Sequence, residues 1–377
     1  MRAMSKRAQG RLARFAGWLV SGVAGLAVAV FLLAWSGIYN VAASTGHWAV
    51  VDWFLAFGMR NSVELRANAL TAPALVNPDL VRLGAAHFHG GCAFCHGAPG
   101  IPVSPIARQM LPSPPHLATS MRPWTDEELF WIVQHGIKYT GMPGWVALER
   151  TDEVWAIVAF LKRLPQLGAE SYRRLALGSV ELAGQSGEQL ATVDSNPQGA
   201  GACARCHGAE GSGPASALVP ILHGQPVEFL AQALQEYAEG SRRSGIMQPL
   251  ATDLSVHDIN RLAAYYAKLA SSQPTRSTGS SHRERGLRLA TEGDPTNGIP
   301  ACGTCHGREG LARYPRLAGQ NAAYMAGQLR LWTAGHHTST AGGAIMGPIA
   351  QRLSEPDIEA VSAYFAALAS EPAGARP

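Results

Sequence analysis

The run Gly91-Cys92-Ala93-Phe94-Cys95-His96-Gly97 recurs in outline at Cys203-Ala204-Arg205-Cys206-His207 and at Cys302-Gly303-Thr304-Cys305-His306. All six cysteines of the chain lie in these three pairs, and each pair is followed at once by a histidine. Two thiols on one helical turn can meet the two vinyl groups of a porphyrin while the adjoining imidazole reaches its metal, so the pattern reads as haem c attachment. Zinc would want four ligands per site, and three separated pairs assemble no obvious tetrahedral set. A thioredoxin-like redox pair would want a strand-helix-strand setting, which the surrounding sequence does not offer. The expectation is three covalently bound haem c groups, on Cys92 and Cys95, Cys203 and Cys206, Cys302 and Cys305, with His96, His207 and His306 as iron ligands.

Outward from each motif the same features follow in the same order, which marks an internal repeat. A Pro-x-Leu comes first: Pro115-His116-Leu117, Pro220-Ile221-Leu222 and Pro315-Arg316-Leu317. Proline fixes a turn and keeps its carbonyl free to accept the outer N–H of the motif imidazole. A helix comes next. Thr125-Asp126-Glu127-Glu128 forms a capping box ahead of Leu129, Ile132, Val133 and Ile137, with Lys138 and Gly141 closing it. Its counterparts begin at Pro226, with Leu230, Leu234 and Tyr237 on one stripe, and at Asn321, with Met325, Leu329 and Trp332 on one stripe. A final helix ends each repeat, over 151–164, 255–270 and 354–369, opened by Ser or Thr with an acid nearby. Phe160, Tyr265 and Tyr364 fall at equivalent places on these helices, suited to packing on a helix ahead of each motif near 78–89, 171–185 and 282–291. No segment of consequence has the period of a strand, so the expected fold class is all-α.

Between the two later helices of each repeat stands a methionine: Met142, Met247 and Met346, placed 46, 40 and 40 residues after the motif histidine. A thioether on the far side of each iron would keep the site closed and raise its potential relative to nitrogen ligation. Met325 and Met59 read as core filler, and Met110 and Met121 are the other thioethers near the first motif. His116 and His135 are the nearest further imidazoles there, and a lone histidine is more often a satisfied core or surface residue.

Upstream the chemistry changes. Arg2, Lys6, Arg7, Arg11 and Arg14 form an acid-free cationic tail, and from Phe15 to Ile38 the chain is apolar or small, with Trp18 and Trp35 near its ends. That is enough to span a bilayer core, and the positive-inside rule keeps the tail cytoplasmic. A cleaved signal peptide is the competing reading, with Val41-Ala42-Ala43 as a cleavage site, although its apolar core would be shorter. Both send the haem motifs to the periplasm of a bacterium. The aromatic stretch 47–59 reads as a helix at the membrane interface, a contact for another membrane subunit, or a first helix packed on the nearest haem domain. With the basic tail set aside, the rest of the 31 cations are slightly outnumbered by 27 acids, and haem propionates would add to the deficit. Nucleic acid is thereby excluded as a partner, and redox proteins docked by local charge patches are favoured.

The organisation that follows is a basic tail over 1–14, a transmembrane anchor over 15–38, a connecting segment over 39–76, and haem domains over 77–167, 168–272 and 273–377. The last two are joined through the polar, Pro- and Gly-punctuated 271–280. Each repeat is small for a core of its own, and a covalent haem would supply the missing apolar interior.

With these residues in view, all three repeats resemble class I cytochrome c domains. The second and third together, about 171–370, resemble the tandem dihaem cytochrome c4 type in their Cys-x-x-Cys-His-Gly, their Pro-x-Leu-x-Gly-Gln at Pro220 to Gln225 and Pro315 to Gln320, and their late methionine. The first repeat departs, having Pro115-His116-Leu117-Ala118 without Gly-Gln. The resemblance implies a carrier of electrons between a dehydrogenase or quinol-oxidising complex and a terminal oxidase or soluble cytochrome, on the outer face of the bacterial inner membrane. The alternatives are the cytochrome subunit of a specific periplasmic dehydrogenase, and a haem enzyme such as a peroxidase, which would need one iron with an open position.

Overall fold

Helices build the molecule; among the described residues the only extended pairings are two isolated bridges, Ala98 with Ile101 and Asp294 with Ile299. The computed structural model describes residues 6–178, 200–208, 216–252, 254–269, 280–307 and 313–368. The expected linker lies outside them except for Ser280, where a helix has already begun. Two compact units result, residues 1–56 and 57–377.

The first unit is dominated by helix Lys6–Ser36, whose stretch Arg14–Ser36 is 23 residues long, strongly apolar and unburied. At 1.5 Å per residue it reaches about 34 Å, enough by length and composition to cross a bilayer core. Helix Ala49–Ala67 follows and contains most of the aromatic stretch; Trp48, Trp53, Phe54 and Phe57 are exposed.

In the second unit, helix Pro78–Gly91 opens with Asn77, whose side chain accepts from the Asp79 N–H, and with proline at its first position. It crosses helix Thr151–Leu161 at Gly84, where a Cβ would lie 2.0 Å from the Ala156 carbonyl oxygen. Phe88 and Phe160 pack beside this crossing with ring centroids 5.1 Å apart. The third repeat makes the same crossing between helices Ser280–Thr291 and Glu355–Ala367: a Cβ on Gly286 would meet the Ala360 carbonyl at 2.4 Å and the Tyr364 Cβ at 2.5 Å. Phe160 and Tyr364 thus occupy the place the sequence assigns them. Tyr265 is 37% exposed beside the buried Tyr266, as Tyr364 is half-buried beside the buried Phe365, and residues 179–185 of the helix expected to pack on Tyr265 lie outside the described residues.

One difference concerns the described part of the helix expected over 171–185. It runs Ala169–Leu177 and packs on the first repeat, with Tyr172 fully buried and its hydroxyl 3.0 Å from His89 Nδ1. Its stripe of Tyr172 and Ala176 has the right period, but the period does not say which neighbour it faces.

The predicted caps hold except at Thr151, which is the first residue inside helix Thr151–Leu161, where Arg150 takes the cap position without a side-chain capping bond. Thr125 with Glu128 and Ser354 with Asp357 form reciprocal boxes, and Ser255 caps helix Val256–Lys268. Helix Asp126–His135 nevertheless stops at Gly136, in a left-handed conformation (φ 64°), and not at Gly141. Glycine takes that φ without a steric penalty, and the chain turns away before Lys138 is reached. Val227–Ala238 and Ala322–Thr333 start where predicted, after Pro226 and Asn321.

Candidate haem sites

Each motif closes one helical turn: Ala93–His96, the end of Ala200–His207, and Gly303–His306. None of the six cysteines is in a disulfide. Burial pushes up the first thiol of each pair, Cys92 to about 12, with Cys95 adding to it, and Cys203 and Cys302 to about 11. No group of three or more His, Cys, Asp or Glu able to hold a bare metal ion occurs among the described residues.

The motif histidines share one hydrogen bond. Nδ1 of His96 donates to the Pro115 carbonyl at 3.1 Å, Nδ1 of His207 to the Pro220 carbonyl at 3.1 Å, and Nδ1 of His306 to the Pro315 carbonyl at 2.9 Å. A carbonyl can only accept, so the proton sits on Nδ1 and the Nε2 lone pair is free for iron. Burial also holds the rings neutral against the pull of those carbonyls, pushing His207 down to about 4 and lowering His96 and His306.

Around the second and third motifs lies one cavity of about 770 Å³. Cys203, Cys206, His207 and Met247 line it, and so do Cys302, Cys305, His306 and Met346. A close-packed interior leaves few voids larger than a water, so a volume of this size has room for a bound group. Gly327, on the wall, has nothing within 4 Å of where its Cβ would be, leaving room for a flat group. Arg242 lines the same space, hydrogen-bonded to Gln328 Oε1 at 3.2 Å and standing over the Tyr237 ring, a cation suited to the carboxylates of a porphyrin edge. The residues present therefore fit haem at the second and third motifs.

The methionine segments differ in form. Met346 lies inside helix Ala341–Ala350, Met247 opens the single turn Met247–Ala251, and Met142 sits in an irregular loop where its N–H donates to Thr140 Oγ1 at 3.1 Å. Near the first motif, the Met110 sulfur packs over Gly141 and Met121 packs on the hydrophobic core. Met325 is buried in the core, as expected. Met59 is half-buried on helix Ala49–Ala67. His116 is satisfied by the Ile101 carbonyl and Thr119, and His135 packs against Trp131.

Two polar clusters went unread in the sequence. Gln225 and Gln320 reach across to each other's repeat, and buried Glu153 and Arg150 of the first repeat join residues 243–245 of the second. Gln225 and Gln320 had a signal, since both end a Pro-x-Leu-x-Gly-Gln run. Glu153 had none beyond its place in the first turn of a helix, where an acid is ordinary.

A family model described as "Cytochrome C oxidase, cbb3-type, subunit III" matches residues 79–161 and 199–265. A thiosulfate dehydrogenase electron acceptor from Thiomonas intermedia is 37% identical over 175 residues, covering 45% of this chain and 80% of its own. A cytochrome c4 from Pseudomonas aeruginosa is 34% identical over 201 residues, covering 52% of this chain and 95% of its own. The crystal structure of reduced recombinant cytochrome c4 from Pseudomonas stutzeri is 33% identical, with a TM-score of 0.41, covering 44% of this chain and 93% of that one. The chain belongs to the c-type cytochromes, with its similarity directed at cytochrome c4. It is an electron-transfer protein of the kind that binds haem c covalently.

Proposed function

We propose that the chain is a membrane-anchored trihaem electron carrier, held by residues 15–38 in the bacterial inner membrane with haem domains over 77–167, 168–272 and 273–377 in the periplasm. It takes electrons from a dehydrogenase or quinol-oxidising complex and passes them to a terminal oxidase or soluble cytochrome. The observation that carries this reading is the threefold repetition of one arrangement, an attachment turn whose histidine Nδ1 lies 3.1, 3.1 and 2.9 Å from a proline carbonyl. Haem c bound at each turn supplies the one-electron iron couple.

The chain's own residues do the rest. Cys92, Cys95, Cys203, Cys206, Cys302 and Cys305 would hold the cofactors, and His96, His207 and His306 would offer Nε2 to the metals. Met142, Met247 and Met346 are the thioethers that would complete the iron sites, which would favour electron transfer over substrate chemistry. Hydrogen bonds between repeats hold the sites at fixed separations, so oxidation states can change without the backbone rearranging. Haem staining of denatured protein, together with intact mass, tests the count: three haems are expected, and two would defeat the reading.

A second reading is favoured by the relative described as a thiosulfate dehydrogenase electron acceptor. In it the chain is the cytochrome subunit of a specific periplasmic dehydrogenase whose substrate chemistry lies on a separate polypeptide. Purification from native membranes separates the two: a dehydrogenase chain eluting in stoichiometric amount supports the second reading, and the cytochrome alone supports the first.

A further inference from the structure

Glu153 sits at the start of helix Thr151–Leu161, 3% exposed, and its carboxylate is fully used. Oε1 accepts from the Ser244 hydroxyl at 2.6 Å and lies 2.9 Å from Arg150 Nη1. Oε2 accepts from the Gly245 N–H at 2.7 Å and from the Trp145 indole N–H at 3.1 Å. Four donors fill the four lone-pair directions of a carboxylate.

These donors are not scattered. Trp145 ends the segment Gly141-Met142-Pro143-Gly144-Trp145, and its own N–H donates to the Gln134 carbonyl at 2.8 Å, so the indole and the Met142 loop move together. Ser244, 2% exposed, donates to Glu153 and accepts from the Met247 N–H at 3.0 Å and the Ile246 N–H at 3.2 Å. Gly245 lies flat on the Trp145 ring, where a Cβ would come within 2.0 Å of the indole nitrogen. A single carboxylate therefore holds both the loop carrying Met142 and the turn carrying Met247.

Burying a carboxylate and a guanidinium is costly in desolvation, and an apolar pair of the same shape is often as stable. What the ion pair adds here is geometry. Arg150 is itself held by both Asp152 oxygens, at 2.9 and 2.8 Å, and donates to the Arg243 carbonyl at 3.3 Å. Outer hydrogen bonds of this kind set the position and orientation of ligands one layer in.

We propose that Glu153 is a positioning residue shared by the first and second haem sites, setting the reach of Met142 and of Met247 at once, so that these two centres are tuned together and the third is not. The proposal rests on the reading of Met142 and Met247 as ligands. The test uses the full haem-loaded chain and two readouts, the near-infrared sulfur-to-iron band of the oxidised protein and the three midpoint potentials from spectroelectrochemistry. Glu153→Gln keeps the shape but offers an N–H where a donor already points, and it should alter about two thirds of the band and move two potentials of three. Ser244→Ala cuts only the branch to Met247 and Trp145→Phe only the branch to Met142, so each should move one potential, and a different one. The two single-branch variants carry the test by themselves if Glu153→Gln does not accumulate with haem. The proposal is overturned if Glu153→Gln leaves the potentials unchanged or shifts all three alike, or if Ser244→Ala and Trp145→Phe act on the same haem or on none. A wild type lacking the band at the first and second sites would instead sink the ligand reading itself, before any variant is compared.

Discussion

Gln320 hydrogen-bonds both backbone groups of Ile221: its Oε1 accepts the Ile221 N–H at 2.8 Å and its Nε2 donates to the Ile221 carbonyl at 3.0 Å. Gln225 treats Arg316 in the same way, at 2.9 Å for both bonds. Ile221 and Arg316 each follow the proline whose carbonyl orients a motif histidine. Each repeat's glutamine therefore steadies the histidine acceptor of the other, which gives the Gly-Gln ending of the run a physical purpose.

Gln320→Ala should accordingly cost about 2–4 kcal/mol, because it strands the buried N–H and C=O of Ile221 and the N–H of Asn321. Denaturant unfolding of the haem-loaded protein measures this. A loss below about 0.5 kcal/mol, the size of an ordinary surface change, would show the clamp to be idle.

The helix crossings make a sharper demand. Gly84→Ala and Gly286→Ala each place a methyl against a backbone carbonyl that cannot move aside cheaply, and each should destabilise its repeat by about 1–3 kcal/mol or more. Thermal unfolding monitored at the haem absorbance would reveal it, and variants melting with wild type would disprove the close approach.

Acid stability has a named contributor in His87. Burial pushes this ring down to about 4, with the Arg205 charge adding to the effect. In the unfolded chain it titrates near 6.5, so between these values the unfolded state binds more protons and stability rises with pH. The contribution is complete above about pH 6.5 and is lost as pH falls toward 4, amounting to about 3 kcal/mol. His87→Phe should flatten the stability profile across that window; an unchanged slope would remove His87 from the account.

Much of this architecture was legible beforehand, for reasons particular residues make plain. The attachment turns need fixed spacing, and Pro115, Pro220 and Pro315 need to lie where their carbonyls can be used, so both leave marks in the sequence. Capping at Thr125 and Ser354 is equally local. What could not be read is long-range: helix Ala169–Leu177 chooses the first repeat, and Glu153 finds its partners 91 and 92 residues away. Such choices depend on which surfaces meet, and no window of sequence contains both.

The apolar N-terminal helix gives a prediction about location. With residues 15–38 retained as an anchor, the protein should stay in membranes through high-salt washing and need detergent for release. Replacing residues 1–40 by a cleavable export signal should yield soluble protein with its haems in place. A mature wild-type chain beginning near Ser44 would show a signal peptide instead.

The most direct test of electron transfer through closed sites is carbon monoxide binding to the reduced, untreated protein. With Met142, Met247 and Met346 as proposed ligands none of the irons should take up the gas, and Met346→Ala should open one site while removing about a third of the near-infrared band, since each thioether would occupy the position an enzyme leaves free. Stoichiometric binding by the wild type at even one haem would contradict the account and put substrate chemistry at that iron.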